Sequence, residues 1–309
     1  MRIHGLISTA LAASLIAGSA FAQTQAPAPP AETAPPPPAP PVSAPPSEWR
    51  TVAPENLMVI DTTKGRIMVE LAPTIAPLHV ERMRLLTRAG FFDNLTWHRV
   101  IDQFMAQTGD PLGTGEGQSP YPDLKAEFTF RRGPEMGFAA VAAPAGAQLG
   151  FIGSLPVQTQ PDGVMATTAD HKVHGWGVYC PGVAGMARDD APDSANSQFF
   201  LMRQPYPSLD KRYTVWGSVV AGLDVVRALK VGEGDNGMVG ADPDKMTRVR
   251  IASDLPEAER PVVQVLDTTS PRFAALVAST RATKGADFSV CDIVLPSLVT
   301  VQTSGGPAA

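Results

Sequence analysis

Two short apolar runs, Leu57-Met58-Val59-Ile60 and Arg66-Ile67-Met68-Val69-Glu70-Leu71, flank the polar stretch Asp61-Thr62-Thr63-Lys64-Gly65. β-favouring residues in runs of this length, joined by a polar connection ending in Gly, predict a hairpin. A helix follows: Pro77 suits a first helical turn, Val80, Met83 and Leu86 keep helical spacing, and Gly90 is placed to end it. Farther on, YTVWGSVV (213–220) is strand-like, LDVVRALK (223–230) is a short amphipathic helix, and TRVRIA (247–252) alternates polar with apolar. Many strands with two helices predict a mainly β fold. They suit a closed antiparallel barrel, which removes exposed edges, and periodicity alone does not choose it over a sandwich.

The flanks set the expected compartment. Met1-Arg2-Ile3-His4 is a short basic start, an apolar run extends from Gly5 to Ala17, and Ala20-Phe21-Ala22 is an A-x-A cleavage pattern. Residues 1–22 therefore read as a secretory signal peptide, the run falling short of the ~20 apolar residues of a membrane span. An uncleaved anchor is the alternative, and the small residues at 20 and 22 argue against it. The mature chain is expected to be periplasmic or secreted. Residues 23–47 are mostly Pro and Ala, including Pro35-Pro36-Pro37-Pro38, and predict a disordered, extended linker. A spacer is the plain reading; a docking ligand is the other. The formal net charge of -5 argues against nucleic-acid or anionic-membrane partners, which need clustered Lys and Arg. Cys180 and Cys291 are the whole thiol inventory, open to a disulfide in an oxidising compartment or to two buried free thiols.

Two segments carry the chemistry: WHRVIDQFMAQTGDP (97–111) and GMARDDAPDSANSQFFLM (185–202). They bring together a cation, Arg99, an amide, Gln107, and several apolar side chains. Together the segments resemble the paired active-site segments of cyclophilins, the peptidyl-prolyl cis-trans isomerases. This resemblance implies that these groups hold a proline and weaken its amide resonance, with no metal, nucleotide or covalent nucleophile. The resemblance implies a closed eight-stranded antiparallel barrel capped by two helices, here spanning 48–254. Arg99 would donate to the prolyl nitrogen and Gln107 would hold the moving carbonyl or a bound water. His98, which moves no proton, would support and orient. By matching positions, Phe104, Met105, Phe200 and Leu209 would form the proline pocket, with Tyr213 where many members place His. Ala187 and Arg188 would contribute backbone contacts, with Gln198 nearby. The expected activity is cis-trans isomerisation of Xaa-Pro bonds by a monomer without cofactor, acting on proline-containing polypeptides. A non-catalytic proline-binding chaperone or scaffold is the rival, which would not need a donor at the twisting nitrogen.

The chain also departs from the family. It inserts 134–179, a Gly/Ala-rich stretch expected to be a functional loop or disordered, and adds a tail, 255–309, in which 288–295 looks like an extra strand. A Cys180–Cys291 bridge would staple one addition to the other. Arg188 stands where the family often has Asn, and Thr108 where it usually has Gly. Ser208 replaces a Trp that contributes to cyclosporin binding, which predicts weak cyclosporin affinity; tight binding in a titration would contradict it. Gly113-Thr114-Gly115-Glu116-Gly117 has a phosphate cradle's composition without its strand, helix or closing Lys. His171, His174 and Cys180 lack the fourth ligand of a structural zinc site, and no metal is expected.

Overall fold

The computed structural model describes residues 48–301. The expected signal peptide (1–22) and linker (23–47) lie outside the described residues. In chain order the strands are β1 (Trp49–Thr51), β2 (Leu57–Thr62), β3 (Gly65–Leu71), β4 (Arg99–Val100), β5 (Met105–Thr108), β6 (Phe130–Arg132), β7 (Ala139–Ala142), β8 (Gln148–Ile152), β9 (Leu155–Thr159), β10 (Val173–Gly177), β11 (Val183–Met186), β12 (Phe199–Met202), β13 (Val215–Ala221), β14 (Met246–Ile251), β15 (Pro261–Leu266) and β16 (Ser297–Val301). The helices are α1 (Pro77–Arg88), α2 (Leu223–Ala228) and α3 (Pro271–Lys284).

The largest sheet has eight antiparallel strands in the order β14-β2-β3-β13-β11-β12-β5-β4. Its hairpin is tighter than the sequence suggests: Thr62 pairs with Gly65 across the turn Thr63-Lys64. Alternate residues of β2 and β3 serve two cores. Met58, Ile60, Ile67 and Val69 enter a cluster with α1's Val80, Met83 and Leu86 and with Trp97, Phe199 and Trp216. Leu57, Val59 and Met68 instead face Val263 and Val265 of β15. Because both faces are covered, the strands read as near-continuous apolar runs. Val226 brings α2 into the first cluster, and the helix stops at Ala228 because Leu229 is already extended.

The expected closure is not completed by strand pairing. No ladder joins the edge strands β14 and β4 among the described residues; the segments leading into them meet at an isolated bridge, Thr96–Lys245. Its flanks are hydrogen bonds from Trp97 N to Asp244 O (2.8 Å) and from Met246 N to Leu95 O (2.9 Å). β4 is too short to extend that seam, since the chain turns at Ile101 to begin the hairpin into β5, with Phe104 N and Met105 N both donating to Ile101 O.

The insertion is neither loop nor disordered among the described residues. β7, β8, β9 and β10 join β6 in a five-stranded antiparallel sheet, β6-β10-β9-β8-β7. Phe130, Phe151, Leu155 and Val157 form its apolar side and share a cluster with Met105, Phe200 and Leu209. Arg132, 3% exposed, is neutralised by Asp162 and lies 4.5 Å from the Phe138 ring centroid. The tail supplies β15 and β16, which with β1 form a third sheet, β1-β15-β16, and α3, which Ser270 caps by accepting from Phe273 N at 3.2 Å.

The strand expected at 288–295 is absent. Ser289 and Asp292 close a capping box around a short 3-10 turn, Ser289 N donating to Asp292 Oδ2 at 2.8 Å and Cys291 N to Ser289 Oγ at 3.2 Å. The added strand is β16, farther on. Cys180 and Cys291 are joined as a disulfide, with Cα atoms 5.0 Å apart, bridging the insertion's end to this turn.

Candidate active site

The two signature segments become neighbours in the large sheet, because β5 comes from the first and β12 from the second. Register does the rest: Arg99 stands opposite Gln107, and Gln107 opposite Phe200. Arg99 Nη1 donates to Gln107 Oε1 (3.0 Å), and its Nε donates to the Asn236 carbonyl (2.8 Å). Gln107 Nε2 donates to Gln198 Oε1 (2.9 Å), whose own amide donates to the carbonyls of Gly115 (2.7 Å) and Gly117 (2.9 Å). Each amide is thus oriented by the next, and the guanidinium is gripped from two sides. Burial pulls the Arg99 pKa down, partly opposed by Tyr213, yet a guanidinium remains a cation at any working pH. No described residue accepts a hydrogen bond from Arg99 Nη2.

The Gly113–Gly117 stretch is organised by a carboxylate and holds no phosphate cradle. Asp110 accepts from the backbone N–H groups of Leu112, Thr114 and Gly115 at 2.6, 2.8 and 2.5 Å. Burial pushes this carboxyl up, but the N–H donors outweigh it and hold its pKa below the usual value. Thr108 is accommodated on an extended strand and donates through Oγ1 to Thr96 O at 2.8 Å. The backbone that needs glycine is the next one: Gly109 has φ 90°, and a Cβ there would lie 2.3 Å from Ser197 O.

His98 is 1% exposed, and burial lowers its pKa against the charge of Asp110, leaving a neutral imidazole. Beside Arg99 and Gln107 lies an apolar wall. Met105, Phe200 and Leu209 are buried in one cluster, with Phe104, Ala187 and Tyr213 packed against it. Tyr213 meets Phe200 edge-on at 5.9 Å, and Phe104 packs on Tyr206 at 4.4 Å. Arg188 turns its guanidinium over Tyr213 (4.6 Å) while donating to the carbonyls of Arg212, Asp189 and Asp190 (3.0, 2.6 and 3.1 Å). A small polar cavity of about 60 Å³ adjoins, lined by Gln107, Gly115, Gln118, Ala187, Arg188 and Gln198 among others.

All eleven side chains singled out from the sequence therefore fall in or around one region, where polar line and apolar wall are adjacent. Sequence reasoning missed Asn236, Tyr206 and Tyr179. Asn236 acts through a backbone carbonyl, which carries no side-chain signal. Tyr179 lies in the insertion, stacked on Phe200 at 5.8 Å. Tyr206 was legible in principle, as an aromatic three residues before Leu209. Cys180 is committed to the disulfide, so the weak trio with His171 and His174 loses its sulfur ligand. No group of three or more potential metal ligands occurs among the described residues, and no described helix is long and apolar enough to cross a membrane.

Comparison with known proteins follows the same outline. The family described as cyclophilin type peptidyl-prolyl cis-trans isomerase/CLD matches residues 57–253. A Brucella suis protein named "Probable peptidyl-prolyl cis-trans isomerase" is 34% identical over 213 residues, covering 65% of this chain and 85% of the relative. A "Peptidyl-prolyl cis-trans isomerase-like 1" from Aspergillus oryzae is 27% identical over 197 residues, 64% of this chain and 96% of the relative. The crystal structure of a cyclophilin from Hirschia baltica matches with a TM-score of 0.74 at 35% identity, covering 82% of this chain and 94% of that one. That share exceeds the family span, so the likeness to the Hirschia protein extends into the added layers. With the family matched from the hairpin through β14, and its two signature segments paired as adjacent strands, this chain belongs to the cyclophilin-type peptidyl-prolyl cis-trans isomerases.

Proposed function

We propose that Arg99 drives isomerisation of Xaa-Pro bonds in exported polypeptides by donating to the prolyl nitrogen. The observation that carries this reading is the oriented line Arg99–Gln107–Gln198 beside the wall of Phe104, Met105, Phe200, Leu209 and Tyr213. Rotation about a peptide bond faces a barrier of about 18–20 kcal/mol because the C–N bond is partly double, and Xaa-Pro bonds isomerise unaided in about 10–100 s. As the bond twists, the nitrogen becomes pyramidal and regains a lone pair. A donor fixed in advance stabilises that state more than either planar one. Asn236 and Gln107 hold the guanidinium in place, and Nη2 is left for the nitrogen. Gln107 steers the carbonyl before proline, while the apolar wall seats the ring and keeps water off it. His98, neutral and buried, supports Arg99. Ala187 and Arg188 border the peptide's path.

The Thr96–Lys245 seam and its flanking hydrogen bonds support reading the large sheet as a barrel, with α1 and α2 at its ends. Folding assistance in an oxidising, exported compartment is the physiological reading, supported by the leader-like pattern in 1–22 and by the disulfide. The negative net charge supports a protein that engages neither nucleic acid nor anionic membranes, and a monomer suffices for the site. Exchange NMR on an Ala-Pro peptide tests the chemistry. Wild type accelerates exchange, and Arg99→Ala loses about a hundred- to a thousandfold in kcat/KM, the scale of one positioned donor. An Arg99→Ala variant as fast as wild type would refute the assigned role.

A further inference from the structure

The insertion lies outside the family's signature segments, yet it touches the site's outer loop at several points. That loop, 206–213, carries Leu209 and Tyr213. Lys211 within it has φ 59°, the left-handed region that side chains other than glycine seldom occupy. Such a residue persists where its surroundings over-determine it, and here the loop's own backbone hydrogen bonds (Asp210 N to Pro207 O, Arg212 N to Leu209 O) are joined by contacts from the insertion. The Lys211 ammonium sits 4.3 Å from the centroid of the Trp176 ring on β10. The preceding residue, Asp210, accepts at Oδ1 from Tyr179 N at 3.1 Å. At the loop's start, Tyr206 N donates to Tyr179 O at 2.8 Å, and the Tyr206 ring packs on Phe104. Tyr179 itself is fully buried, stacks on Phe200 with a 26° interplanar angle, and precedes the disulfide-bonded Cys180.

We propose that the insertion is a working part of the isomerase site, with Trp176 and Tyr179 as positioning residues. They hold Lys211 in its left-handed turn and thereby set Leu209 and Tyr213 against the substrate's proline ring. Neither residue touches substrate. The inference rests on the reading of Leu209 and Tyr213 as pocket walls. Its signature is a change in substrate affinity that leaves the Arg99 chemistry intact, because Arg99 and Gln107 are anchored on β4 and β5.

The test uses the full chain and an Ala-Pro peptide, with kcat and KM measured separately. Trp176→Ala raises KM about two- to fivefold, the scale of a surface cation–π contact, with kcat within about twofold of wild type. Trp176→Phe keeps a ring face beneath the ammonium and restores KM. Lys211→Met raises KM by itself, and the double variant with Trp176→Ala is no worse than either single change, because both remove one interaction. An unchanged KM in Trp176→Ala and Lys211→Met, or full additivity in the double variant, overturns the proposal. If Trp176→Ala fails to fold, Trp176→Phe and Lys211→Met alone decide it. Leu209→Ala and Tyr213→Ala separate the two readings: if they raise KM and the Trp176 variants do not, only the insertion's role fails. If they leave KM unchanged, the pocket reading fails and the proposal with it.

Discussion

Arg99, Gln107 and Phe200 stand across consecutive strands, so backbone register alone brings them together. Trp176 and Tyr179 reach the edge of that region from outside the sheet, and Cys291 is tied to them through its bond to Cys180. They depend on one cation–ring contact, two hydrogen bonds to the 206–213 loop, and one covalent bridge. The catalytic layer is thus specified by a ladder, in which a one-residue slip would turn every side chain to the other face. The added layers are specified by side-chain contacts that can be removed individually. Chemistry should therefore break at the sheet, and stability or substrate affinity at the additions.

The largest expected effect tests stability. Cys180 and Cys291 are 111 residues apart in sequence, and losing a native disulfide typically costs about 2–5 kcal/mol. Cys291→Ser should lower the unfolding free energy by that amount, and the melting temperature and denaturant midpoint with it, while kcat measured well below melting stays within about twofold. A large fall in kcat without loss of stability would erase the distinction between the layers. Next in size is Arg99→Lys, the reverse case. An ammonium keeps the charge but cannot grip Asn236 O and Gln107 Oε1 while presenting further donors in a fixed plane. It should lower kcat/KM about ten- to a hundredfold with an unchanged melting temperature, measured by protease-coupled assay and thermal denaturation together.

What the sequence disclosed divides along the same line. The hairpin and α1 were legible because their apolar spacing matches the period of the element they form, as Val80, Met83 and Leu86 do. The clustering of the candidate site residues was legible because most of them lie in two long segments, and the register of β5 on β12 unites these. The insertion was misread because its glycines resemble loop residues. In the fold they mark close packing: a Cβ on Gly150 would lie 2.1 Å from Ala139 O, and one on Gly175 would lie 2.8 Å from the Phe130 ring. α3 escaped notice because Phe273 is its only buried residue, so no apolar stripe announces it. The Phe288–Leu295 run looked like a strand, but local hydrogen bonds of Ser289 and Asp292 outcompeted ladder pairing.

The smallest predicted effect lies where the two regions meet. Burial pushes the Asp210 carboxyl up to about 6, against the Tyr179 N–H and the charge of Lys211. Its folded form therefore binds a proton more tightly than its unfolded form, whose pKa is about 3.9. The resulting stability is fully present below about pH 4 and disappears as pH rises through about 6. His98 works in the opposite sense: burial lowers its pKa, so the unfolded chain takes up the proton first and stability declines as pH falls below about 6.5. The two slopes have opposite signs. Asp210→Asn removes one of them. Its melting temperature should fall more steeply than wild type on acidification from pH 7 to about 4, the curves diverging through about pH 6. Parallel curves would mean that the loop carboxylate is no more desolvated than a surface one, and that the insertion does not enclose the edge of the site.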